Sequence, residues 1–172
     1  EKYVRGLGIE NTFISASEKT MHDRIENQYL NRSTPTATAR LIETFFENRL
    51  FASKYKKFLI RIMTETSTGQ DKLKGLLPPD CTVGHKTGSS DRTSTGVKIA
   101  DNDAGFVLTP DGKRYYIAVF VSDSQEDDPT NASIIARISA IVYDFMIRPT
   151  DPNRPTLCHP ESVSADDAAG SP

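Results

Sequence analysis

His85-Lys86-Thr87-Gly88-Ser89-Ser90 ends a strand and opens a turn, and the fold reads outward from it. Residues 81–86 form a short strand with an apolar start, and 88–96 a polar turn. A second strand is predicted over 97–109. Pro110-Asp111-Gly112-Lys113 then places proline early and glycine late, as a hairpin turn requires. The third strand, 115–122, is apolar almost throughout, which suits a sheet covered on both faces. Asp128-Pro129 opens a last helix, 129–148. Its Ile134, Ile135, Ile138, Ile141, Val142, Phe145 and Met146 share one wide face.

Upstream, 73–80 is a connector containing proline and glycine. Helices are expected over 34–68. Thr34 is the N-cap of the first and Pro35 its first helical residue, with Leu41, Ile42, Phe45 and Phe46 at helical spacing. Ser53 is read as the cap of the second, whose inner face is Phe58, Leu59, Ile62 and Met63; Gly69 lies past its end. Residues 9–33 hold no sustained period and read as a long loop, a kind of segment that is usually functional or disordered. Residues 1–7 look like a helix end, stopped at Gly6 or Gly8. Residues 149–172 are polar and proline-rich and are expected to be a disordered tail. The order predicts an α+β fold: an antiparallel meander covered by a helix, plus a helical part.

Composition narrows the partners. Net charge is −2 over 172 residues, with acids and bases interspersed. No basic block points to nucleic acid and no acidic run to a solvating tail. No apolar stretch is expected to span a bilayer. Glu1-Lys2-Tyr3-Val4-Arg5 is not a leader pattern, and reads as a start inside a helix. Cys81 and Cys158 are not expected to pair, and Cys158 with His159 supplies too few ligands for structural zinc.

Two motifs could carry chemistry. Lys86-Thr87-Gly88 offers a fixed positive charge, a hydroxyl donor for a carboxylate, and a residue without a Cβ against which a ligand can lie. Glu18, in Ser15-Ala16-Ser17-Glu18-Lys19-Thr20-Met21-His22, could hold and deprotonate a water, with the His22 imidazole four residues on. Each alone is weak. The combination is specific: loop Glu and His, two helices, Ser67-Thr68-Gly69-Gln70-Asp71-Lys72, His85-Lys86-Thr87-Gly88, Asn102-Asp103, then Ile117-Ala118-Val119-Phe120-Val121. In this order the chain resembles the C-terminal part of a class A serine β-lactamase, nearest the PER-like extended-spectrum subgroup, over about residues 1–147.

The resemblance implies the serine β-lactamase/penicillin-binding transpeptidase-like fold: an antiparallel sheet flanked by helices, with part of the all-α subdomain. It implies a β-lactam substrate, no cofactor, no metal, a monomer when complete, and a periplasmic or secreted location. Glu18 matches the omega-loop glutamate that activates the deacylating water. His22 matches the position that helps hold that loop. Lys86 matches the strand lysine and Thr87 the carboxylate-binding hydroxyl. Gly88 completes the triplet, and Ser89 matches the residue whose backbone N–H completes the oxyanion hole. Lys72 stands where the subgroup has an arginine; it keeps the charge but loses the fork, so weaker carboxylate binding is expected. Arg92 is a possible substitute.

The family also needs Ser-x-x-Lys and Ser-Asp-Asn. Ser53-Lys54-Tyr55-Lys56 fits the first literally, but lies after the omega loop, and Ser122-Asp123-Ser124 is no match for the second. Both motifs are expected upstream, in a missing N-terminal half that the fold also needs. This chain alone is expected to be inactive and unstable, a non-catalytic penicillin-recognising fragment. A D,D-peptidase-related module is the other alternative, and Glu18 argues against it. The reading requires Glu18 and Lys86 to converge on one cleft.

Overall fold

The computed structural model describes residues 1–47 and 50–148. Three long strands form one antiparallel sheet in the order β3 (Thr82–Ser89), β4 (Lys98–Leu108), β5 (Arg114–Ser124). The predicted turn joins the last two: the Thr109 N–H donates to the Lys113 carbonyl at 2.9 Å, and Gly112 takes φ +82°. The strands run longer than expected. β3 continues through Lys86-Thr87-Gly88-Ser89, because each of those residues pairs across to β4.

Cross-strand register sorts the side chains onto two faces. Val83, His85, Thr87 and Ser89 stand opposite Val107, Gly105, Asp103 and Asp101. This face carries the core, where Leu73, Cys81, Val83, Val107, Tyr115, Ile117 and Val119 pack with Ile135 of α5 (Asp128–Ile147). The other face bears Gly84, Lys86, Gly88, Ala104, Phe106, Tyr116 and Phe120. α3 (Pro35–Glu47) covers one end of it. Phe46 is buried against Phe106 and Tyr116, with centroids 4.4 and 5.6 Å away. The Phe106 ring lies over Gly84, where any Cβ would overlap it.

Thr34 caps α3 as expected, its Oγ1 accepting the Ala37 N–H at 3.1 Å. Two other caps differ from expectation. α5 is capped by Asp127, whose carboxylate accepts the Thr130 N–H at 2.8 Å, so Asp128 is already helical. α4 (Ser53–Thr64) starts at Ser53 with no side-chain cap. Its expected inner face is uncovered: Phe58, Leu59 and Ile62 are exposed among the described residues. α5 shares this trait, with Ile135 buried but Ile134, Ile138 and Ile141 exposed. At 20 residues with mean hydropathy 1.2, α5 does have the length and composition to cross a membrane, contrary to the expectation above. Here it packs on the sheet through Ala132, Ile135, Ala136 and Ser139.

The segment read as one long loop is built of short pieces. After α1 (Lys2–Gly6), β1 (Thr12–Phe13) pairs with β2 (Arg32–Ser33) and closes the segment at its base. Between them lie α2 (Glu18–Asp23) and a 3-10 turn, Ile25–Tyr29. Ser17 caps α2 by accepting the Thr20 N–H at 3.2 Å. The expected tail, with Cys158 and His159, lies outside the described residues. Cys81 is buried and free.

Candidate active site

β3 is an edge strand, so its outer backbone groups face away from the sheet. Lys86, Gly88 and Ser89 are exposed there, and Thr87 half-buried. A Cβ at Gly88 would meet nothing within 4 Å, so the space beside the strand is open. The Lys86 ammonium donates to the Thr87 carbonyl. The Thr87 hydroxyl lies 3.2 Å from that of Thr68. Gly69, at φ +64°, packs directly over the Thr87 methyl.

Alternation turns Lys86 to the face also bearing Asn102 and Phe120. The segment carrying Glu18 lies over that same face. A cavity of about 860 Å³ separates them, walled by Phe13, Tyr29, Asn31 and Arg32 above and by Ala100, Asn102, Phe120 and Ser122 below. The Asn102 Oδ1 is buried there without a protein partner among the described residues. Two contacts tether the segment across the cavity. Tyr29 donates to the Asp123 carboxylate, and Gln28 Nε2 to Asp91 Oδ2 at 3.3 Å. Asp123 raises the Tyr29 phenol above its ordinary range, chiefly through that hydrogen bond.

Glu18 is not on an irregular loop; it opens the first turn of α2 and is exposed. His22 Nε2 stands 3.8 Å from Glu18 Oε2, too far for a hydrogen bond. Neither residue lines the cavity, and no hydrogen bond or ion pair joins Glu18 to Lys86 among the described residues. The bracing of this segment falls to asparagines that the motif search missed. Asn31 Oδ1 accepts the N–H groups of Ser15 and Ala16, both at 2.9 Å, and its Nδ2 donates to the Ala16 carbonyl at 2.9 Å. Asn27 Nδ2 donates to the Thr20 carbonyl at 2.7 Å. The available signal was the asparagines themselves, whose side chains readily bond nearby backbone in irregular segments.

Lys72 does not stand free at the rim. It is buried, on the core side of β3, and its ammonium is bound by Asp101. Strand pairing buries Asp101, and a buried carboxylate needs a partner. Arg92 is also engaged. It donates to Asp128 at 2.6 Å and to the carbonyls of Glu126 and Gly96, both at 2.8 Å. Arg92 first, then Lys98, holds the Asp128 carboxyl below its usual range. Below Thr87, His85 Nδ1 meets Asp103 at 2.8 and 3.0 Å, and Asp103 also accepts the Leu73 N–H at 3.2 Å. Ser139 donates to the Leu73 carbonyl at 2.7 Å, joining α5 to this buried group. Two acids alternating within an apolar strand were its signal in the sequence. In the literal Ser-x-x-Lys, Ser53 is exposed and the Lys56 ammonium donates to the Phe46 carbonyl.

An antiparallel sheet with helices on both faces and a lysine-threonine-glycine edge strand defines an α+β domain of the class A β-lactamase kind. Residues 1–146 match the beta-lactamase enzyme family, and the chain belongs to it. It is 54% identical over 145 residues to a beta-lactamase of Bacteroides uniformis, covering 84% of this chain and 49% of that protein. It is 37% identical over 146 residues to the extended-spectrum beta-lactamase PER-1 of Pseudomonas aeruginosa, covering 85% and 47%. The crystal structure of a class A beta-lactamase from Bacteroides cellulosilyticus superposes with a TM-score of 0.81 at 57% identity, covering 84% of this chain and 52% of that one. The chain thus spans about half the length of the relatives it matches.

Proposed function

We propose that the complete protein hydrolyses β-lactam antibiotics through a serine acyl-enzyme, and that this chain is the C-terminal half of that machine. The observation that carries the reading is geometric: the segment bearing Glu18 lies over the sheet face to which alternation turns Lys86, with a cavity between that segment and the face. Glu18 is assigned the activation of the deacylating water and His22 the support of its loop. Lys86 supplies positive potential beside the nucleophile. Thr87 and Ser89 receive the substrate carboxylate, the Ser89 N–H also serving the oxyanion hole, and Gly88 leaves room for substrate along the strand. Such an enzyme acts outside the cytoplasm, in the periplasm or secreted, as a monomer.

The nucleophile is assigned to the part of the family's length that this chain does not span. Without it no acyl-enzyme forms, and the 172-residue chain alone is inactive. The test uses the complete protein with nitrocefin. Glu18→Gln should slow turnover about 100- to 10,000-fold, the usual worth of a positioned general base. The acyl-enzyme should then accumulate and be visible by mass spectrometry. Unchanged turnover would remove Glu18 from the mechanism. Hydrolysis above background by the 172-residue chain would mean that the nucleophile lies within it.

A further inference from the structure

Two acids stand on one face of β4, and each is met by a basic side chain. Asp103 takes His85, and Asp101 takes Lys72. The Lys72–Asp101 pair is almost out of water, its side chains retaining 11% and 3% of their exposure. It is also close to the rim assigned to the substrate carboxylate. Asp101 is the cross-strand partner of Ser89. A Cβ at Gly69 would touch both the Thr87 methyl and the Lys72 stem, so Lys72 packs beside Thr87. The buried lysine beside Thr87 is thus already matched by a buried anion.

We propose, resting on the β-lactamase reading above, that Asp101 sets the anion affinity of the substrate site by holding Lys72. A lysine bound to a carboxylate is a short dipole and projects far less field than a free charge. Carboxylate recognition then falls to Thr87, Ser89 and Lys86. Asp101 is a positioning residue, since it touches Lys72 and not the substrate.

The experiment is steady-state hydrolysis by the complete protein of a cephalosporin with a free carboxylate and of the same compound as its methyl ester. Asp101→Asn frees the Lys72 charge. KM for the carboxylate should fall about tenfold, the worth of one charge-assisted hydrogen bond. That gain should shrink in high salt, and KM for the ester should not move. Lys72→Met combined with Asp101→Leu removes both charges while filling the space, a change buried pairs tolerate. It should leave KM for both compounds within about twofold. A tenfold rise in the carboxylate KM of the double variant would show that Lys72 itself grips substrate, overturning the proposal. So would Asp101→Asn acting equally on both compounds, or on neither. If Asp101→Asn does not fold, the double variant decides. No hydrolysis of either compound by the unsubstituted protein is a separate outcome, which defeats the β-lactamase reading and this inference with it.

Discussion

Replacing Asn31 with alanine should loosen the segment that carries Glu18 without unfolding the sheet. Besides a weak contact from Nδ2 to the Met21 sulfur at 3.3 Å, three hydrogen bonds to backbone depend on the Asn31 amide: two accepted from the Ser15 and Ala16 N–H groups and one donated to the Ala16 carbonyl. At about 0.5–1.5 kcal/mol each, they total about 1.5–4.5 kcal/mol of local stability. The sites are exposed or half-buried, so the lower half of that range applies. At about 1.4 kcal/mol per decade, the Ser15 and Ala16 amides should exchange with deuterium roughly 10- to 100-fold faster. Amides of β4, such as those of Phe106 and Val107, should be unaffected. The assay is residue-resolved hydrogen exchange on the complete protein, read beside the deacylation rate. Exchange at Ser15 and Ala16 within about twofold of the parent would refute the bracing role. Uniform acceleration across β4 would show that Asn31 holds the whole fold rather than one segment.

Three further outcomes are expected. Asp103→Ala strands the buried Leu73 N–H and the buried His85 ring, each orphan costing about 1–3 kcal/mol. Urea unfolding of the complete protein should show a loss of at least about 2 kcal/mol, and a loss under about 1 kcal/mol would contradict this account. The Asp111 carboxyl is lowered to about 2, by the hydrogen bonds of Lys113 and then Thr109. Because its folded value lies below its unfolded one, its contribution to stability is present above the ordinary carboxyl range and vanishes as pH falls through about 2. NMR titration should show that midpoint, and Lys113→Ala should raise it. The 172-residue chain alone should bind ANS and aggregate, because α4 and α5 keep exposed Phe58, Ile62, Ile138 and Ile141, and β5 pairs on one side only among the described residues. A cooperative melt of a soluble monomer would contradict that.

The sheet was readable because its signals are local. Apolar runs around Val83, Phe106 and Ile117, a proline–glycine turn at Pro110–Gly112 and a capped helix at Thr34 each lie within a few residues. β1 and β2 were not readable, since a two-residue strand has no period and Thr12 finds Ser33 only through closure of the chain. α2 escaped for a similar reason: six residues, five of them polar, form a helix here because Ser17 caps it and Lys19 pairs with Asp23 at 3.0 Å, not because a stripe is buried. Spacing placed Lys86 and Glu18 among the site candidates. Nothing in Gln70-Asp71-Lys72-Leu73-Lys74 says which charge is buried, because Asp101, the partner that decides it, lies 29 residues away.

Gly84 couples the edge strand of the sheet to α3 through ring packing. Its missing carbon is filled by the Phe106 ring, which bears on Phe46, which anchors the helix begun at Thr34 and Pro35. Those last two residues help wall the cavity beneath the Tyr29 segment. A methyl group at position 84 would press on the Phe106 ring and, through the tilted Phe46 ring beside it, on the helix whose start helps wall the cavity. The set of that cavity wall thus depends in part on a hydrogen atom on the floor of the sheet, two residues from Lys86.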